Sequence, residues 1–141
     1  MMTITMLIMA IQNFLKKELA DDTQPVPPVL LGYLLPDASV NPVYPVIMIR
    51  PAEGEGDSVR GQIQIKLHFG TSSEDDTGLI VLLNLMERVR ILLLRQRVLE
   101  QKFSLDASWT WKLDEEHPSA IWRGELTTTW ALPQIRQEVV L

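Results

Sequence analysis

Apolar side chains near the start of the chain recur every three or four residues. They are Ile4, Leu7, Ile8, Ile11 and Leu15. This spacing lies on one face of a helix and predicts a helix over 4–20. Lys16 and Lys17 follow the apolar stretch, whereas a signal peptide carries its positive charge first. The stretch is also shorter than the roughly 20 residues that span a bilayer, so we expect no membrane partner.

Strict alternation of apolar and polar residues marks the segment "RGQIQIKLHF". Every second side chain from Ile63 to Phe69 is apolar, and the side chains between them, including His68, are polar. Successive side chains of a strand point to opposite faces. The pattern therefore predicts a half-buried strand over about 60–70.

Shorter apolar runs precede this strand. "VIMIR" (46–50) predicts a buried strand that pairs with 60–70 as an antiparallel hairpin. "PAEGEGDS" (51–58) predicts a flexible acidic turn between them. "VLLGYLL" (29–35) predicts a further strand, which Gly32 makes less regular.

A second helix is predicted over 77–98. One apolar stripe that can dock on a sheet consists of Leu79, Leu82, Leu83, Met86, Val89 and Leu93. Further apolar residues lie outside that stripe: Ile80, Val81, Leu85, Ile91, Leu92 and Leu94. Because one stripe is enough to dock a helix, the surplus predicts burial on two sides, one of them against another chain.

Four arginines lie in and after this helix: Arg88, Arg90, Arg95 and Arg97. Cations are favourable at the C-terminal end of a helix dipole. We interpret them as a solvated helix end or a subunit contact, with a basic binding patch as the less favoured alternative.

Two more alternating segments close the chain. They cover 103–113 and 120–132, and the polar turn "DEEHPS" joins them as a hairpin. All four tryptophans, Trp109, Trp111, Trp122 and Trp130, fall on the inward-facing positions. This placement predicts core packing, with an interface or ring-stacking role as the alternative.

The order of elements favours an α+β fold in a single domain, 1–141. Alternating strands are typical of an antiparallel sheet with one covered face. We expect a mostly antiparallel sheet of four to five strands with two helices packed on one face.

Composition narrows the function. Hydrophobic residues make up 46% and charged residues 22% of the 141 residues, which is typical of a globular domain. The net charge of −5 argues against sequence-independent binding of nucleic acid. The absence of cysteine excludes disulfides, thiolate nucleophiles and thiolate-ligated metals.

The acidic loop "HFGTSSEDDTG" contains Glu74, Asp75 and Asp76. Adjacent carboxylates do not have the alternate spacing of a calcium loop. Ser, Thr and Asp before an apolar helix are typical N-cap residues. We interpret the loop as the joint between strand and helix, with a metal site or subunit contact as the alternatives.

The two histidines are His68, on the polar side of a strand, and His117, beside Glu115 and Glu116. A histidine–carboxylate pair can transfer protons. No nucleophile, phosphate-loop, dinucleotide or zinc motif accompanies either of them. The sequence therefore predicts no enzyme, no cofactor and no metal.

Three segments carry a resemblance to a known family. They are "NPVYPVIMIRPAEGEGDS", "IQIKLHFGTSSEDDTGLIVLLNLMERVRILLL" and "FSLDASWTWKLDEEHPSAIWRGELTTTWALPQI". Their combination, over about 41–135, resembles the small tail-terminator or tail-completion proteins of long-tailed bacteriophages and prophages, in particular the group found in Gram-positive bacteria. In the last segment the matching residues are Trp111, Leu113, Glu115, Glu116, Pro118, Trp122, Gly124, Glu125, Thr128, Thr129, Trp130 and Pro133.

The resemblance implies a structural virion protein found in the tail or neck, and in the host cytoplasm during assembly. Such a protein forms a homohexameric ring on the tail tube, ends tube polymerisation and offers a joining surface for the head. The implied partners are the tail tube protein and head–tail connector proteins, with DNA passing through the lumen without specific binding.

Candidate interface residues follow from these interpretations. The acidic candidates for the lumen or for tube contact are Glu53, Glu55, Asp57, Glu74, Asp75 and Asp76. The apolar candidates for subunit contact are Ile80, Ile91 and Leu94. Two alternatives stay open: another head–tail connector or tube component, and a monomeric regulatory or enzymatic domain that uses His117.

Overall fold

The computed structural model describes residues 4–20, 26–32, 44–57, 60–115 and 120–133. Within these ranges the chain forms two helices and six strands. In chain order they are α1 (Ile4–Ala20), β1 (Val29–Leu31), β2 (Val46–Gly56), β3 (Gly61–Ser72), α2 (Thr77–Gln96), β4 (Val98–Leu99), β5 (Phe103–Leu113) and β6 (Ile121–Ala131).

The strands form one sheet in the order β1-β2-β3-β6-β5-β4. β1 runs parallel to β2, and every other pair is antiparallel. Helix α1 contacts β1 and β2 at one edge and β4 at the other, so the sheet curls around it. The α+β class is confirmed, but the expected four to five antiparallel strands are wrong: the sheet is mixed and six-stranded.

The strand missing from the sequence prediction is β4, at one edge of the sheet. β4 has two residues, too few to show any alternation. β1, at the other edge, falls within the predicted strand 29–35 and has three residues, of which Val29 is buried and Leu30 and Leu31 are exposed. The remainder of the expected strand 29–35, from residue 33 onward, lies outside the described residues.

Strand β2 is longer than the sequence indicates. It continues through Pro51 to Gly56, where a flexible turn was expected over 51–58. The register shifts between Pro51 and Glu53, and β1 pairs only with 47–49. Proline is tolerated in a strand at a register shift, or where one edge of the strand has no hydrogen-bonded neighbour. Among the described residues both conditions hold at Pro51, so the strand does not end there.

The core lies on one face of the sheet. Leu67 at the centre of β3 pairs with Ile49 on one side and Leu126 on the other, and all three are buried. Both helices contribute to the same cluster of buried side chains. Gly124 lets α2 approach closely, because a Cβ there would lie 2.7 Å from Met86 Sδ.

Helix α2 is rotated relative to the predicted stripe. Its buried residues are Gly78, Leu82, Leu85, Met86, Val89 and Leu93. Leu85 was expected outside the stripe and is buried, whereas Leu83 was expected inside it and is exposed. Both stripes have helical spacing, so periodicity alone could not choose between them. The helix ends at Gln96 rather than residue 98, because Arg97 takes a positive φ of 59°.

The tryptophans are not all buried as expected. Trp130 is fully buried, and Trp109 and Trp122 are half-buried. Trp111 is 53% exposed, although its partner in the register is the buried Leu126. It therefore lies on the helix side of the sheet, at a place that α2 does not cover.

Candidate functional site

The acidic loop before α2 is built as a helix joint. Ser73 Oγ accepts a hydrogen bond from the Gly78 N–H at 2.7 Å and donates to the Asp75 carbonyl at 2.6 Å. Asp75 Oδ1 accepts from the Thr77 N–H at 3.0 Å. Hydrogen bonds from Thr77, with a smaller one from Ser73, lower the pKa of Asp75. The first exposed N–H groups of the helix are thus capped.

The other two carboxylates of this loop have a different setting. Glu74 and Asp76 are exposed, and the Asp76 side chain makes no capping hydrogen bond to the described residues. Within the described ranges, no group of three or more histidine or acidic side chains is placed to hold a metal. Asp76 is therefore a charge presented to the outside at the start of α2.

The candidate pair of His117 with Glu115 or Glu116 is tested only in part. Glu115 is exposed, while 116–119 lie outside the described residues. The geometry of that pair stays a sequence prediction.

Sequence reasoning missed a charged cluster on the polar face of the sheet. Glu125 is buried in the middle of β6, with Lys112 Nζ at 3.4 Å, Lys66 Nζ at 3.6 Å and His68 Nδ1 at 3.8 Å. The register explains the convergence, since His68 and Lys112 lie directly opposite Glu125 on the two neighbouring strands. Cross-strand pairs of this kind bring side chains into contact.

His68 is largely neutral at neutral pH in this setting. Burial is the main cause that lowers its pKa below 6.5, and it outweighs the opposing effect of the Glu125 carboxylate. The two lysines therefore supply most of the countercharge to Glu125. His68 Nε2 is buried without a hydrogen-bond partner among the described residues. The geometry is that of one buried carboxylate enclosed by cations from the two neighbouring strands.

The second acidic group occupies the far end of the β2–β3 hairpin. Glu53 and Glu55 are exposed on strand β2, opposite glutamines of β3. Asp57 closes the hairpin, because its Oδ1 accepts from the Arg60 N–H at 2.8 Å. The loop 74–76 follows the opposite end of β3, about 30 Å or more away at 3.3 Å per residue. The structure therefore does not bring the two acidic groups together.

An open groove lies between α2 and β5. Its volume is about 300 Å³, and its lining residues are Leu83, Asn84, Met86, Glu87, Arg90, Trp111 and Leu126. Arg90 lies 4.6 Å from the Trp109 ring centroid, and its Nε donates to Glu87 Oε2 at 3.0 Å. A cation–π contact and an ion pair thus fix Arg90 in one wall of the groove. Trp111 and Leu83 contribute apolar surface to the rest of its lining. We call this the Trp111 groove.

The strand beside this groove has an unpaired outer edge. β4 pairs only with Phe103 and Ser104 of β5, so β5 beyond Leu105 has no strand neighbour on that side among the described residues. An edge strand presents N–H and C=O groups that can pair with another chain. The open edge and the exposed Trp111 ring belong to the same segment.

The apolar candidates on α2 separate into two groups. Ile80 is 58% exposed and Ile91 is 38% exposed. Leu94 is half-buried and packs against the core, so most of its side chain is already covered. The expected surplus of apolar surface on α2 thus resides mainly in Ile80, Val81, Leu83 and Ile91.

No described helix combines the length and apolar character needed to cross a membrane. Neither a protein-family model nor a curated protein sequence matches the chain.

Proposed function

We propose that this protein is a structural virion protein that caps the tail tube of a bacteriophage or prophage as a ring of subunits. The observation that carries the proposal is the Trp111 groove, an open apolar surface beside an unpaired strand edge. Large exposed aromatic side chains beside apolar grooves are typical of protein–protein contacts. The resemblance to tail-terminator proteins supplies the kind of assembly.

A ring needs a contact between two different surfaces of neighbouring subunits, repeated until the rotation closes. The Trp111 groove and the outer edge of β5 form one such surface. A neighbour can add backbone hydrogen bonds to the edge while an apolar side chain enters the groove. The favoured ring number is six, which rests on the family resemblance.

The acidic hairpin tip supports a role at the lumen or at the tube. Glu53, Glu55 and Asp57 are exposed, and Arg60 is a basic residue beside them. Phosphates entering a negatively charged channel meet like charge, which lets DNA pass without adhering. In this proposal the remaining partners are the tail tube protein and a head–tail connector, in the virion and in the host cytoplasm during assembly.

The buried charge cluster on the polar face fits a structural role. Glu125 is surrounded by cations supplied by its own neighbouring strands. A network neutralised in this way stabilises one register of the sheet, because a slip would separate the charges.

The experiment mixes purified protein with tail tubes and images the tube ends by negative stain. We expect rings on one end of the tubes and no further growth when tube subunits are added. Trp111→Thr should abolish capping. Leu31→Thr should retain it, because this substitution also replaces an exposed apolar side chain with threonine but lies at the opposite edge of the sheet. Open-ended polymerisation of the protein alone would instead identify a tube component, and binding to heads without tubes a connector.

A further inference from the structure

The outermost face of α2 carries a ridge of six exposed side chains. They are Asp76, Ile80, Asn84, Glu87, Ile91 and Arg95. At 3.6 residues per turn they fall within an arc of about 100°, directly opposite the buried residues. Asp76 extends the ridge by one position because its backbone is helical, with φ −69° and ψ −7°. We call this the outer ridge.

The spacing along the outer ridge reads the same in both directions. Successive members are four, four, three, four and four residues apart. When two copies of α2 lie antiparallel and centred between Leu85 and Met86, Ile80 of one copy is opposite Ile91 of the other. The same alignment places Asp76 opposite Arg95 and Asn84 opposite Glu87.

We propose that two copies of this protein associate by antiparallel packing of their outer ridges about a two-fold axis. Both ends of the contact then bring a carboxylate to a guanidinium, and both apolar positions meet an apolar partner. In the middle, the Asn84 amide donates to the partner's Glu87 carboxylate. Parallel packing would instead place like charges together at each end, which is unfavourable.

The shape of the ridge agrees with its chemistry. Ile80 is the most exposed apolar side chain on α2, at 58%, and protrudes near one end. Near the other end lies a shallow groove of about 360 Å³, lined by Asn84, Glu87, Arg88, Ile91, Leu92 and Arg95. The antiparallel alignment seats each Ile80 in the groove beside Ile91 of the other copy, in the manner of a ridge packing into a groove.

Self-complementarity identifies the occupant as a second copy rather than another protein. Each residue on the first half of the ridge finds its chemical complement on the second half, which is the requirement of an isologous contact. The charges also suit the helix dipole, with the acidic residue at the N-terminal end of α2 and the basic residue at its C-terminal end. One helix therefore supplies both halves of the contact.

This contact goes beyond the proposed ring and does not depend on it. An isologous contact closes at two copies and cannot propagate around a ring. The outer ridge and the Trp111 groove share Asn84 and Glu87. Substitutions that affect only one of the two contacts are therefore placed at Ile80, for the dimer, and at Trp111, for the ring. Failure of tube capping leaves the dimer measurable, and loss of the dimer leaves capping measurable.

The first test is a charge exchange followed by sedimentation equilibrium in a Trp111→Thr background, which keeps ring formation out of the measurement. Asp76→Arg alone and Arg95→Asp alone each place like charges at both ends, so we expect each to raise the dimer Kd by about tenfold or more. An equimolar mixture of the two variants restores attraction at both ends and should form heterodimers with a Kd near the parental value. The double variant should also dimerise.

The mixture is its own control for folding, because a chain that has lost its fold cannot regain dimerisation from a partner with a single charge change. Lys102→Asp, an exposed charge change in the turn before β5, should leave the Kd unchanged. A mixture no tighter than the separate variants would overturn the antiparallel register.

The second test addresses the apolar positions. Ile80→Glu should raise the dimer Kd by about a hundredfold or more, because it places a carboxylate in both apolar contacts of the dimer. Val81→Glu is the matched control, since Val81 is exposed on the same helix but lies off the ridge by a quarter turn. A parental chain that stays monomeric at every concentration, or an Ile80→Glu variant that dimerises like the parent, would contradict the proposal.

Discussion

The two faces of the sheet differ in how many of their side chains find partners within the same chain. On the polar face, Glu125 is buried and meets Lys66, Lys112 and His68 from the two strands beside it. On the helix face, Trp111 stays half exposed in an open groove. The first surface pairs its buried carboxylate with cations of the same chain, whereas the second leaves a large aromatic side chain exposed. In the proposed ring, this exposed surface is where the neighbouring subunit binds.

The largest expected effect contrasts a tryptophan inside the core with one outside it. Trp130 is fully buried and its Nε1 donates to Thr128 Oγ1 at 3.0 Å, so Trp130→Ala should lower the free energy of unfolding by about 3–5 kcal/mol. Trp111→Thr should lower it by less than about 1 kcal/mol in the monomer. Urea unfolding measures both, and equal losses would show that the groove is part of the monomer core.

The next effect tests the completeness of the polar face. Glu125→Gln removes the only carboxylate in contact with Lys66 and Lys112 in the described network, leaving the two cations to repel each other. We expect a loss of about 1–3 kcal/mol in the free energy of unfolding. Glu53→Gln, on the same face but exposed, should change it by no more than about 0.5 kcal/mol. Similar results for the two variants would refute the cluster as a stabilising network.

The smallest effect is a pH dependence that originates in His68. Burial holds the pKa of His68 below 6.5 in the folded protein, so the unfolded chain binds the proton more strongly. The stabilisation is fully present above about pH 6.5 and is lost as the pH falls toward the folded-state pKa. Thermal unfolding between about pH 7.5 and about pH 5.5 should show a shallower pH slope for His68→Asn than for the parent.

Two carboxylates with lowered pKa values contribute at more acidic pH than this window. Hydrogen bonds from Ser108 lower the pKa of Asp106, and those from Thr77 lower that of Asp75. Their stabilising contributions are lost only at more acidic pH, below about pH 5. An unchanged slope in His68→Asn would assign the pH dependence to another group.

Local periodicity predicted the long elements because their pattern is carried by many residues. The alternation from Ile63 to Phe69 gives β3, and its buried side chains are those that the pattern places inward. β4 contains only Val98 and Leu99, and no period can be read from two residues. The rotation of α2 depends on Leu85 and Leu83, which fit a helical stripe equally well.

The cluster around Glu125 was not predicted because it depends on the register between strands. His68 and Glu125 were both placed on polar strand faces by the sequence, but 56 positions separate them along the chain, from 69 to 124. Only pairing of β3 with β6 brings them together, and pairing partners are not encoded in either strand alone. The exposure of Trp111 likewise depends on where α2 lies over the sheet, which the alternation in β5 does not determine.

The most direct test of the central claim is the solution mass of the purified protein by light scattering over a dilution series, with and without tail tubes. If the helix face is an assembly surface, the parent forms a ring of about six subunits, alone or when tubes are added, and Trp111→Thr does not. A parent that forms nothing larger than a dimer at any concentration and ignores tubes would contradict the account.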